Sequence, residues 1–121
     1  MNKINFAEKF SLFNEYWSPR IVGELNGQFI KLAKLKGEFM WHAHDFEDEY
    51  FQVIKGSIII HFRDRSITLF EGESIIVPHG VEHKPEAQEE AHVMLFEPKA
   101  TTHTGDTQSD HTVSIEDQLW I

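Results

Sequence analysis

The chain has 121 residues and no cysteine. Disulfides and thiolate redox chemistry are therefore excluded, and any transition metal must be held by imidazole and carboxylate. No stretch approaches the ~18–20 consecutive apolar residues that a helical membrane span needs. The N-terminus, Met1 to Asn5, runs into an amphipathic segment rather than an apolar one, so no secretory leader is read there. Basic residues are scarce: 11 Lys and Arg face 20 Asp and Glu, for a net charge of −9. The basic stripe that a nucleic-acid binder needs is missing, which leaves the acidic excess as solvated surface. The expectations are a cytoplasmic protein with neither a nucleic-acid nor a membrane partner.

What is present suits one domain over residues 1–121, with 40% hydrophobic residues and ten phenylalanines for one core. Phe6, Phe10, Phe13 and Trp17 recur at steps of three or four, which predicts a helix over residues 5–17 ended by Pro19, within an N-terminal segment 1–18. The pattern then becomes β. Asn26-Gly27 separates two apolar runs, 21–25 and 28–32, and predicts a type I′ hairpin, whose central residues need positive φ. Further short strands are expected at 38–44, 49–54, 57–63, 66–70, 74–77 and 91–96. Many short strands at even spacing argue for an all-β sandwich or barrel. The polar stretch from Lys99 to Thr112 reads as a loop, with Thr104-Gly105-Asp106 a candidate lid. The apolar ending Leu119-Trp120-Ile121 predicts a terminus tied to the sheet or to a second subunit.

The chemistry concentrates in Trp41-His42-Ala43-His44-Asp45-Phe46-Glu47-Asp48-Glu49, and in His83. Histidines at i and i+2 share a face of a strand, whereas on a helix they sit ~200° apart and cannot share an ion. Glu49 lies an odd step beyond His44, so the chain must turn within Asp45 to Asp48 for Glu49 to face the same way. Three imidazoles and one carboxylate suit a divalent transition metal, with Fe, Mn, Ni and Zn all open, and leave coordination positions free. Glu47 and Asp48 rival Glu49 only as members of an exposed acidic turn. His61, His92, His79, His103 and His111 read as surface or core histidines, Trp41 and Phe51 as core or cavity wall.

These residues resemble the two motifs of the cupins, small β-barrels of jelly-roll type. The first reads Gly37, four residues, His42-Ala43-His44, four residues, Glu49, six residues, Gly56; the gap after Gly37 is one residue short of the usual. The second reads Gly72, five residues, Pro78-His79-Gly80, two residues, His83, three residues, and Ala87 where the family has Asn. The resemblance covers residues 37–87. It implies that His42, His44, Glu49 and His83 ligate a metal inside the barrel, that Gly56 and Gly72 serve tight turns, and that the chain forms a homodimer. It implies no single reaction, because such barrels host dioxygenases, isomerases, lyases and sensors. The expectation is a metal-dependent enzyme acting on a small polar molecule inside the barrel; the alternative is a non-catalytic ligand-binding or sensing module.

Overall fold

A computed structural model describes residues 1–101 and 118–121. Among these residues one short helix, α1 (Phe6–Phe10), precedes eight strands: β1 (Arg20–Leu25), β2 (Gln28–Glu38), β3 (Glu49–Lys55), β4 (Ser57–Phe62), β5 (Ser66–Phe70), β6 (Ser74–Val77), β7 (His83–Pro98) and β8 (Leu119–Trp120). The β1–β2 hairpin turns on Asn26 (φ 53°) and Gly27 (φ 78°), both left-handed as a type I′ turn requires. Gly56, between β3 and β4, also has positive φ (83°), and a Cβ there would sit 3.2 Å from the Glu90 carbonyl oxygen. A side chain at that position is opposed by both backbone geometry and space.

β7 organises the sheet. Its first residues pair with β4 and its later ones with β3, while β2 runs antiparallel along its other edge. β6 pairs with β3, β5 with β4, and β8 lies parallel on β1. The result is a jelly roll whose hydrogen-bonded ladder, among the described residues, does not close into a ring. The two faces of β2 have separate tasks. Ala33 and Leu35 point inward with Phe51, Val53, Val93 and Leu95 to fill the barrel. Ile30 and Leu32 point outward, where Phe10, Phe13, Ile121 and the half-buried Phe6 cover them. Period-two alternation therefore gives β2 two buried faces.

Four expected elements, three strands and the helix, differ from the structure. β2 runs on to Glu38, beyond the expected 28–32, and β7 begins at His83, ahead of the expected 91–96. The helix predicted over 5–17 spans only Phe6–Phe10. Asn5 caps its start by accepting from the Glu8 amide, and the Ser11 hydroxyl donates to the Glu8 carbonyl at its end. Beyond it, backbone groups are claimed by β2: Lys34 Nζ donates to the Phe13 carbonyl (2.7 Å) and the Trp17 amide to the Lys34 carbonyl (2.9 Å). The aromatic period survives only in part as packing, because Phe10 and Phe13 cover the outer face while Trp17 enters the barrel. The strand expected over 38–44 is also absent. Pairing with β7 slips by one residue between Glu38↔Glu86 and His42↔His83, leaving an isolated bridge at His42. Pro85, which has no N–H to donate, stands in that gap. The ending 118–121 is tied to the sheet, with the Ile121 amide donating to the Ile21 carbonyl and Trp120 edge-on to Phe29. The candidate lid at Thr104-Gly105-Asp106, with His103 and His111, lies outside the described residues.

Candidate metal centre

The structure brings His42, His44, Glu49 and His83 together. All four are buried, and one ligand atom from each lies within 4.8 Å of the others. Glu49 opens β3 and His83 opens β7. His42 and His44 sit on the irregular crossing between β2 and β3, held to β7 by a reciprocal pair of backbone bonds between His42 and His83 (3.0 and 2.9 Å). The Asp45–Asp48 turn is pinned from outside, since the Asp48 carboxylate accepts from the amide and ring of His79 (2.9 and 3.0 Å). The Gly80 amide donates to the His44 carbonyl (2.7 Å). The Pro78-His79-Gly80 bend thus braces the histidine crossing as well as aiming His83.

Ring orientation is fixed by the backbone. His42 Nδ1–H donates to the Met40 carbonyl (3.0 Å) and His83 Nδ1–H to the Val81 carbonyl (2.9 Å). A carbonyl can only accept, so each Nε2 is left with its lone pair turned inward. Glu49 Oε1 lies 3.5 Å from His44 Nε2 and 3.6 Å from His83 Nε2. Glu49 Oε1 and His83 Nε2 are buried and make no hydrogen bond. Bonds of ~2.1 Å to one ion put adjacent ligands roughly 3 Å apart and opposed ones roughly 4 Å apart. The separations approach that pattern, and convergent orphaned lone pairs are what a cation would satisfy. The donor set therefore fits a divalent transition metal.

Burial pushes the His42 imidazolium down to about 4, and the nearby His83 ring acts in the same direction; the Met40 carbonyl and Glu49 oppose it. His42 is thus neutral, the form that binds metal. The sign of the linkage follows. The unfolded chain takes up this proton near pH 6.5 and the folded one only near 4, so the group's contribution to stability is complete above 6.5 and is lost as pH falls toward 4. At ~1.4 kcal/mol per unit the loss is about 3 kcal/mol. In urea melts of chelator-treated protein, H42Q should show a correspondingly flatter fall between pH 7 and 4 than wild type. Parallel curves would contradict this assignment.

Behind Glu49 lies a group that its sequence positions did not announce. In the β3–β7 register Glu97 falls opposite Glu49, and Lys31 Nζ approaches Glu97 Oε1 at 2.8 Å with both side chains fully buried. Burial and the Glu49 charge raise the Glu97 carboxyl well above its usual range despite Lys31. Burial also works to raise Glu49, but the neighbouring Glu97, His44 and His83 side chains outweigh it and hold Glu49 well below its usual range. Glu97 carries the proton and Glu49 the negative charge, which Lys31 balances through Glu97. The signal was present as phase: Lys31 shares the inward phase of Ala33 and Leu35, and Glu97 that of Val93 and Leu95.

An apolar cavity of about 30 Å³ adjoins the four residues. His42 and Glu49 line it, with Trp17, Phe39, Phe51, Leu95 and other carbon surfaces around the remainder. Phe51 is thus cavity wall, as one of its two readings had it. Trp41 is not among the lining residues; its ring lies under the Arg63 guanidinium, 3.8 Å away. His61 and His92 also stay out of the cavity. His61 bridges Ser66 and Glu86, and His92 binds Glu90 and stacks on Phe10. Ala87, in the place of the usual Asn, is a buried core residue.

Comparison with known proteins agrees with the geometry. The sequence profile of the family described as Cupin domain matches residues 29–99, more than half of the chain. A crystal structure of a cupin-2 domain containing protein from Shewanella frigidimarina is 54% identical, with a TM-score of 0.78 over 78% of this chain and 93% of that one. Protein NMB1881 from Neisseria meningitidis is 32% identical, with a TM-score of 0.74 over 80% of this chain and 99% of that one. The uncharacterized protein YdbB of Bacillus subtilis is 33% identical over 64 residues, 52% of this chain and 57% of its own length. By fold, by motif and by sequence, the chain belongs to the cupin family.

Proposed function

We propose that His42, His44, Glu49 and His83 hold one divalent transition metal, Fe, Mn, Ni or Zn, and that the protein acts on a small molecule reaching that metal through the adjoining cavity. The observation that carries this reading is the convergence of four buried ligand residues, among which Glu49 Oε1 and His83 Nε2 make no hydrogen bond. Leaving polar atoms in that state costs roughly 1–3 kcal/mol each unless something binds them. A bound metal would supply Lewis-acid polarisation, or with Fe(II) a site for dioxygen. The chain's own residues have three tasks. The Met40 and Val81 carbonyls fix two imidazoles in the ligating tautomer. Glu97 steadies Glu49. The carbon walls around His42 keep bulk water away.

A second reading is a ligand-binding or sensing module without turnover. One observation favours it: among the described residues lining the cavity, the only titratable groups are His42 and Glu49, both assigned to the metal. Turnover by general acid–base catalysis would need a further group there. Oxygen chemistry would not, so the enzyme reading narrows toward an oxygenase.

Anaerobic purification followed by elemental analysis tests the shared claim. About one equivalent of a transition metal per chain is expected, and a chain that neither carries nor takes up such a metal would contradict it. Oxygen consumption by the iron-loaded protein with candidate small acids and diols then separates turnover from binding.

A further inference from the structure

The cavity beside His42 and Glu49 has walls from strands and walls from irregular segments, the latter Trp17, Pro19 and Phe39. Ala33, Leu35, Phe51, Val93 and Leu95 come from strands locked in ladders. Trp17 comes from the linker between α1 and β1. It is held by its amide bond to the Lys34 carbonyl (2.9 Å), its indole Nε1–H donating to the Lys36 carbonyl (3.0 Å), and a stack on Phe39 (4.6 Å between centroids, 16° between planes). Phe39 in turn stands edge-on to the His42 ring, 5.4 Å away. The indole is thus one aromatic ring removed from the nearest imidazole.

Trp17 also has φ +58°. A bulky residue in the left-handed region costs of order 1–3 kcal/mol and persists only when its surroundings hold it there. Here a strained backbone keeps a large side chain in a space of about 30 Å³, room for about two water molecules. Enlarging that space from the strand side would break sheet ladders. Moving Trp17 breaks two hydrogen bonds and a ring stack and relieves the strained φ.

Resting on the metal reading above, we propose that Trp17 is the specificity-determining residue of the site: its indole limits the metal to ligands of a few heavy atoms with an anionic or oxygen head, and excludes aromatic chelators. The strain suggests the test. Trp17→Gly removes the ring and places at this φ the one residue that adopts it freely. Trp17→Phe keeps most of the packing while narrowing the side chain and losing the indole bond.

Cobalt-loaded wild type, W17F and W17G are titrated with azide and with 4-nitrocatechol, read by visible absorbance, with circular dichroism to confirm folding. Azide should bind all three within about threefold. The 4-nitrocatechol should bind W17G at least tenfold tighter than wild type, with W17F between; if W17G does not fold, W17F alone should show a gain of about threefold. Equal catechol affinity in wild type and every folded variant overturns the proposal and leaves the metal reading standing. A wild type that takes up no cobalt overturns both.

Discussion

Replacing His42 and His44 together by alanine should leave a folded protein that no longer retains a transition metal. Both rings are buried beside His83, so their loss removes two of the four proposed ligands and leaves only Glu49 and His83. The fold should survive because its ladders do not depend on these rings; the His42–His83 bridge uses backbone atoms alone. The thermal signature should be large. A metal present at 100 times its dissociation constant stabilises the protein it binds by ~2.7 kcal/mol. For a chain of this size that raises Tm by about 10 °C. Wild type should show that rise on metal addition and the double variant almost none. Equal metal content in the two proteins, or equal shifts in Tm, would refute the assignment.

Lys31→Met should produce an unusual pair of effects. The apo protein should lose about 3–5 kcal/mol of stability, the range seen when one partner of a buried ion pair is removed. Methionine fills nearly the same volume, so the loss reports charge more than packing. Without the ammonium, the negative charge shared by Glu49 and Glu97 has no buried counterion. The same excess of negative charge beside the ligands should raise metal affinity severalfold. Urea unfolding of chelator-treated protein reads the first effect and competitive chelator titration the second. A loss below 1 kcal/mol, or a metal affinity that falls along with stability, would contradict the Lys31–Glu97–Glu49 arrangement.

The parts of this molecule legible in the sequence were those fixed by local rules. Asn26-Gly27 announces its hairpin because two positive φ angles are demanded of two adjacent residues, which needs no knowledge of the remaining fold. Four of the strands after that hairpin, β3 to β6, could be placed from apolar runs and turn residues, and of β7 only the later part, 91–96. The grouping of His42, His44, Glu49 and His83 was legible because His-x-His, Glu49 and His83 stand at spacings matching a known pair of motifs. Phe6, Phe10, Phe13 and Trp17 misled because their spacing suits a helix, while tertiary bonds from Lys34 pull Phe13 and Trp17 out of helical geometry. The 38–44 strand was overread because sequence does not reveal a register slip opposite Pro85. Lys31 and Glu97 are 66 positions apart, and only the β2–β7 register shows that they meet. Trp17 beside the metal cavity was hidden for the same reason.

X-ray absorption at the metal edge of the loaded, full-length protein tests the central claim most directly. Three imidazoles and one carboxylate oxygen should appear around a single ion, and one imidazole should disappear in His83→Ala. A first shell of oxygen atoms alone, or a wild-type spectrum unchanged in that variant, would show that these four side chains do not share a cation.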